Sequence, residues 1–183
     1  MVDEGYAVVL SELADKDFTG IGISCGAGLV NVCASYKSMP VLSFSVGRGG
    51  DWIDKNAATA LGIVSSNIMA IKEQGIDLKK PATREEEAIA IYYRSYIRFF
   101  WESISRMFAI KGSAPQFTEP VEIVFAGGSS MPGGFLEVAK EELKMVDLGI
   151  PVGNVRRANE PLLSVSRGCL FHAMNTSNGE EGA

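Results

Sequence analysis

Two glycine-rich turns, each set directly behind a short apolar run, restrict what this chain can fold into more than any other feature. The first is Ser24-Cys25-Gly26-Ala27-Gly28, behind Ile21 and Ile23. The second is Gly127 to Gly134, behind Val121, Ile123, Val124 and Phe125. Ile21, Ile23 and Cys25 alternate with small residues, which predicts a strand with period-two burial. The unbroken run ending at Phe125 predicts a strand covered on both faces. A turn without bulky side chains lets a backbone approach a ligand, and its N–H groups can line an anion. The second turn also opens a helix, where free N–H groups and the helix dipole meet. Taken singly, each turn reads first as punctuation, because hairpins and strand–helix turns use glycine for conformational reasons alone.

The rest of the pattern says what surrounds them. Tyr6, Val9, Leu10 and Leu13 recur at helical spacing and end at Asp15-Lys16-Asp17. After Gly28, Val30, Val32 and Ala34 alternate with polar or small residues, and Leu42, Phe44 and Val46 alternate with serines. The links between these three strands are short, so neighbours pair antiparallel. Gly47 to Asp51 opens a helix to about Leu61, and a second helix spans about Ser65 to Gln74, stopped by Gly75. Thr83 and Glu86 form a capping box for a long helix to Lys111, with Ile89, Tyr93, Tyr96, Ile97, Phe100, Ile104, Met107 and Phe108 on its buried face. Tyr92, Phe99 and Trp101 lie off that face, available either to the core or to a partner. A helix from about Phe135 to Val146, a short strand over Val152 to Val155 and a last helix opened by Pro161 complete the order. That last helix has Leu162, Val165, Cys169, Leu170 and Ala173 on one face. The order implies an α/β chain, a mixed sheet with helices packed on its faces.

Composition removes several function classes. The net charge of −5 disfavours a nucleic-acid partner, although backbone N–H groups bind small anions whatever the net charge. Cys25, Cys33 and Cys169 form no C-x-x-C pair, which disfavours a disulfide framework or zinc site and points to a reducing, cytoplasmic setting. The one histidine, His172, reads as a helix residue, and no G-x-S-x-G elbow is present. No run is apolar for the length a membrane span needs.

The two turns together, in this order and spacing, are more specific. Phe18 to Val32 resembles the second phosphate-binding hairpin of the actin-like ATPase superfamily, which includes actin, DnaK-type chaperones, MreB and FtsA. Arg48-Gly49-Gly50-Asp51-Trp52-Ile53-Asp54 is similar to the Gly-Gly start of the helix after that hairpin. Phe125 to Gly133 resembles the adenosine turn, Glu160 to Cys169 the closing helix beside it, and Glu4-Gly5-Tyr6-Ala7 the hinge helix between lobes. The resemblance implies a ribonuclease-H-like mixed sheet with helices on both faces, forming one side of an ATP cleft. By position, Gly26, Ala27 and Gly28 would face the β- and γ-phosphates, Gly50 the ribose and phosphates, and Gly127, Gly128 and Ser129 the adenosine. Lys72 is either a contact to adenosine or a solvated helix charge.

The same resemblance sets further expectations. Residues 1–176 would form the C-terminal lobe, with the hinge helix at 3–17, the long helix at 82–111 and a disordered tail at 177–183. The first residues lead straight into a helix, which reads as a chain cut from something longer, its other lobe a missing partner. ATP or ADP with magnesium would belong to the full-length protein, with none held by this chain alone. Where the family has an acid opening the hairpin, this chain has Ser24, and Leu29 and Val30 replace small hydroxyl residues. Phosphoryl transfer depends on positioning and charge neutralisation, so losing a carboxylate weakens hydrolysis more than binding. The expected function is a nucleotide-binding lobe, catalytically weak or inactive alone. The alternative is a non-catalytic interaction module, bound to a protein partner or to its own copies. A sugar or acetate kinase lobe shares the fold, but no substrate motif supports one.

Overall fold

A computed structural model describes residues 2–110 and 117–180, with side chains through 176. The helix α1 (Glu4–Glu12) leads through a short 3-10 turn into three strands, β1 (Gly20–Cys25), β2 (Val30–Tyr36) and β3 (Met39–Val46). Three helices follow: α2 (Gly50–Leu61), α3 (Ser65–Gln74) and α4 (Arg84–Ala109). Then come β4 (Val121–Ala126), α5 (Phe135–Leu143), β5 (Val152–Arg157) and α6 (Ser164–Glu180). The sheet order is β3-β2-β1-β4-β5. The hairpin strands pair antiparallel, while β4 runs parallel to both β1 and β5. This is the expected mixed sheet, and helices cover both of its faces. None of the described helices is long and apolar enough to cross a membrane.

Strand pleating divides the core. Ile21, Ile23 and Cys25 of β1, with Ile123 and Phe125 of β4, join the large core beneath α4. Val124 and Ala126 face the other way and pack with Val8 and Val9 of α1 and with Leu13 just after it. The unbroken apolar run of β4 is thus explained by two cores, one on each face.

The other positions of β1 are small for a reason. A Cβ on Gly22 would overlap the carbonyl oxygen of Gly5, and one on Gly5 would lie 2.6 Å from the backbone nitrogen of Cys33. One on Gly168 would overlap the carbonyl oxygen of Ala7. Sheet, α1 and α6 therefore stack backbone on backbone. This corrects most of the sequence expectation for α6. Val165 of the expected face packs against the smaller core, but the buried residues of the helix are Ser164 and Gly168, while Leu162, Cys169 and Leu170 are exposed. Small residues allow the close crossing, and hydrophobic periodicity does not register them. The helix also starts at Ser164 rather than at Pro161, whose carbonyl accepts from the Gly127 amide at 2.9 Å. Its backbone is helical to Glu180, into the segment expected to be a disordered tail.

The long helix α4 is covered on two sides. Trp101 is fully buried and its Nε1 donates to the Ala139 carbonyl of α5 at 3.0 Å, so it is core rather than a partner-facing aromatic. Tyr92 packs edge-on against Trp52 of α2, and Phe99 lies under the Arg48 guanidinium. The cap is as expected at Thr83, whose Oγ1 accepts from the Glu86 amide, but Glu86 reaches back to the Ala82 amide. The end expected at Lys111 and Gly112 falls outside the described residues.

Two outcomes follow from this packing. Gly168→Ala is expected to lower unfolding stability by about 3 kcal/mol, because its neighbour is backbone and cannot yield. Gly47→Ala, with open space around it, stays within about 0.5 kcal/mol, both read by chemical denaturation. Burial pushes the Cys25 thiol up to about 12 and the Cys33 thiol to about 11, whereas Cys169 is exposed. A thiol reagent at pH 8 should therefore titrate one thiol in the folded protein and all three after denaturation.

Candidate functional site

Because β1 and β4 are parallel neighbours, with Ser24 opposite Ala126, both glycine turns leave the sheet at the same edge. They are joined there by a hydrogen bond. The Gly26 carbonyl accepts from Ser129 Oγ at 3.1 Å, across 103 positions of sequence. It also accepts from the Gly50 amide at 3.0 Å, while the Ala27 carbonyl accepts from the Asp51 amide at 2.9 Å. Two N–H groups at the start of α2 are thus satisfied by the hairpin. The approach leaves no room for side chains. A Cβ on Gly49 would overlap the Ala27 carbonyl, and one on Gly50 would sit 2.6 Å from Ser129 Oγ.

Beside this junction lies a cleft of about 630 Å³, lined by both turns, α2, α3 and the connector after α3. The connector is stitched to the second turn by Leu78 N to Gly133 O and Gly133 N to Ile76 O, both 2.8 Å. One wall is apolar, from Met69, Ile76, Met131 and Leu162. The floor is charged. Lys72 Nζ lies 2.6 Å from Asp54 Oδ1 and donates to the Gly50 carbonyl at 3.4 Å. Both side chains are mostly buried, so Lys72 is not the solvated helix charge that was its alternative reading. Burial raises the Asp54 carboxyl above its ordinary range. Contact with Lys72 pulls it back, and Asp51 and Glu73 add to the rise.

On the α1 side of the hairpin lies a second polar group. Ser24 Oγ and Asn31 Nδ2 both donate to Glu4 Oε2 at 2.9 Å. Ser45 Oγ donates to Asn31 Oδ1 at 2.6 Å. A carboxylate therefore stands beside position 24, supplied by the first residue of α1.

A model of the Volactin family matches residues 1–173. The chain belongs to the Volactin family. No curated protein matches it. Among solved structures, the ethanolamine utilization protein EutJ from Carboxydothermus hydrogenoformans is similar at 21% identity, over 93% of this chain and 55% of its own, with a TM-score of 0.65. A non-polymerising MamK mutant bound to AMPPNP is similar at 21% identity, over 92% of this chain and 58% of its own, with a TM-score of 0.69. A PilM–PilN type IV pilus biogenesis complex is similar at 14% identity, over 91% of this chain and 50% of that one, with a TM-score of 0.65. These likenesses establish the fold of this Volactin-family chain as that of the actin-like ATPases. The chain spans 50% to 58% of the length of those three structures.

Of the residues singled out from the sequence, Gly26, Ala27, Gly50, Lys72, Gly128 and Ser129 line the one cleft. Gly28 and Gly127 do not. Gly28 sits at the open hairpin tip, with nothing within 4 Å of a would-be Cβ. Gly127 has φ of +89° and its would-be Cβ would overlap the Cys25 carbonyl, so it serves the close exit of the β4 turn beside the end of β1. Sequence reasoning missed the pairing of Asp54 with Lys72, which sit on different helices with no local spacing to join them. It also missed the bond from Glu4 to Ser24, although both residues lay in segments carrying the resemblance.

The ion pair has a pH signature. Without Lys72, ionised Asp54 has no counter-charge, so its raised folded pKa rises further. Stability from such a group is full at low pH and is lost as pH rises through the folded value. Lys72→Met should therefore lower stability on the order of 3 kcal/mol at pH 7. The deficit should shrink as pH falls toward the ordinary carboxylate range, as measured by denaturation at a series of pH values.

Proposed function

We propose that this chain is a nucleotide-binding lobe of an actin-like ATPase, with ATP or ADP in the cleft beside the two glycine turns. The observation that carries the reading is the Gly26 carbonyl, which ties the hairpin, the start of α2 and the Ser129 turn into one edge. The apolar wall suits a purine, and the buried ammonium of Lys72 suits the ribose or phosphate end. Gly26 and Ala27, with Gly28 beyond them, would approach the β- and γ-phosphates. Gly50 would lie near the ribose, and Gly128 and Ser129, without Gly127, would carry the adenosine. The MamK structure bound to AMPPNP supports the ligand class.

Magnesium, when bound with the nucleotide, would neutralise phosphate charge. Among the described residues no group of three acidic, histidine or cysteine side chains gathers to hold a metal. The ion would therefore rest mainly on phosphate and water. Glu4 stands where the loss of an acid at position 24 otherwise leaves the hairpin neutral.

The cleft is open to solvent. A second lobe closing over it, in the same polypeptide or another, would exclude water and strengthen every polar contact. Without one, binding is weak and hydrolysis slow. The second reading is an interaction module that keeps the fold without turnover. Exposed Leu162, Leu163, Leu170 and Met174 near and along α6 favour a protein partner or a second copy for it.

Titration calorimetry of the chain with ATP and magnesium separates the two readings. The expected result is saturable binding weaker than about 1 µM, since polar contacts in a cleft open to solvent are worth less. Lys72→Ala should weaken it several-fold. Micromolar or tighter binding contradicts the open half-cleft, and no binding at millimolar ATP favours the interaction module.

A further inference from the structure

The sheet ends at β3, whose outer edge has no strand partner among the described residues. On such a strand every second residue turns its N–H and C=O away from the sheet, and these groups template pairing with another chain. Natural edges are blunted by charge, proline or a bulge. Here the first end is blunted, by Pro40 and by a register shift at Ala34 and Ser35 of β2. The rest is not. From 38 to 47 the sequence carries no charged residue, and residues 42–46 follow β2 in regular register. Leu42 and Phe44 lie on the large-core face yet stay half-buried, which leaves an apolar ledge along the edge. Just past the strand stands Arg48. Its guanidinium lies 3.7 Å from the Phe99 ring centroid and 4.7 Å from that of Trp52. That guanidinium makes no ion pair or hydrogen bond among the described residues. The two rings hold the cation while leaving the N–H donors in its plane free. Gly47, between strand and cation, has open space where a Cβ would be.

We propose that residues 42–46 and Arg48 form a docking edge for an extended peptide that brings a carboxylate to the Arg48 end. The peptide backbone adds to β3 as a further strand, antiparallel, since that ladder is the more stable. Its N-terminal end then lies beside Arg48, whose fork of donors matches a carboxylate. Its apolar side chains, two positions apart, lie along Leu42 and Phe44. A second copy of the chain fits less well. Pairing β3 with another β3 would lay the uncharged stretch 38–47 against itself and leave both Arg48 cations without a carboxylate. This surface lies outside the residues lining the cleft and does not depend on the nucleotide reading.

The probe is the end-capped peptide Asp-Thr-Val-Thr-Val-Thr, with Asn in place of Asp as the control. Backbone amide and Arg48 Nε resonances of the 183-residue chain are followed as each peptide is added. The Asp peptide should shift the amides of residues 42–46 and the Arg48 signal on one saturation curve, and slow hydrogen exchange at the edge. The Asn peptide should bind about fivefold more weakly, the upper range for an ion pair at a surface. Arg48→Gln should remove that difference and leave the weaker, backbone-driven binding. Comparing the two peptides on the unaltered chain needs no variant, so it decides the matter even where Arg48→Gln unfolds. Equal affinity for both peptides overturns the proposal, and so does the absence of shifts in residues 42–46 at millimolar peptide. Shifts there that grow with protein concentration alone, with a dimer in sedimentation, also overturn it, in favour of edge pairing between copies.

Discussion

One carbonyl oxygen organises this molecule. Gly26 O accepts from Gly50 N and from Ser129 Oγ, and so joins three segments that are distant in sequence. Each bond contributes about 1 kcal/mol net, a small share of folding stability. Its larger effect is geometric. The segments approach closely enough that Gly49 and Gly50 admit no side chain, and the floor of the cleft is left to Lys72 and Asp54.

A second close approach sets the opposite face of the hairpin. Gly22, Gly5 and Gly168 let β1, α1 and α6 stack with almost nothing between their backbones. The first turn of α1 is thereby laid against the hairpin, which is why Glu4 reaches Ser24. The far end of α1 is held too, since Arg156 of β5 bridges Glu12 and Glu122. The cleft on one side and the Glu4 group on the other are thus placed by the same strand. Its apolar positions face one core, and its small positions face a helix.

Much of this was legible in the residues. Period-two alternation marked the hairpin strands, and the unbroken run at 121–125 marked a strand buried on both faces. The two glycine turns marked the shared edge, because β1 and β4 carry them at the same end. What stayed hidden was set by contacts that no local pattern encodes. The Lys72–Asp54 pair joins two helices, so neither residue advertised its partner. Trp101 stayed open between core and partner because its hydrogen-bond partner is in α5, more than thirty positions away. The inward side of α6 is written in Ser164 and Gly168, which an apolar pattern passes over in favour of the exposed Leu170.

The account stands on the claim that the two turns form one ligand-binding edge. Backbone amide resonances of the chain, followed as ATP and magnesium are added, test it most directly. The account predicts that Ala27, Gly50, Gly128 and Ser129 shift together with one saturation curve, while Thr19 and Glu122 at the far end of the sheet stay still. Shifts confined to one turn, or following separate curves, would contradict it.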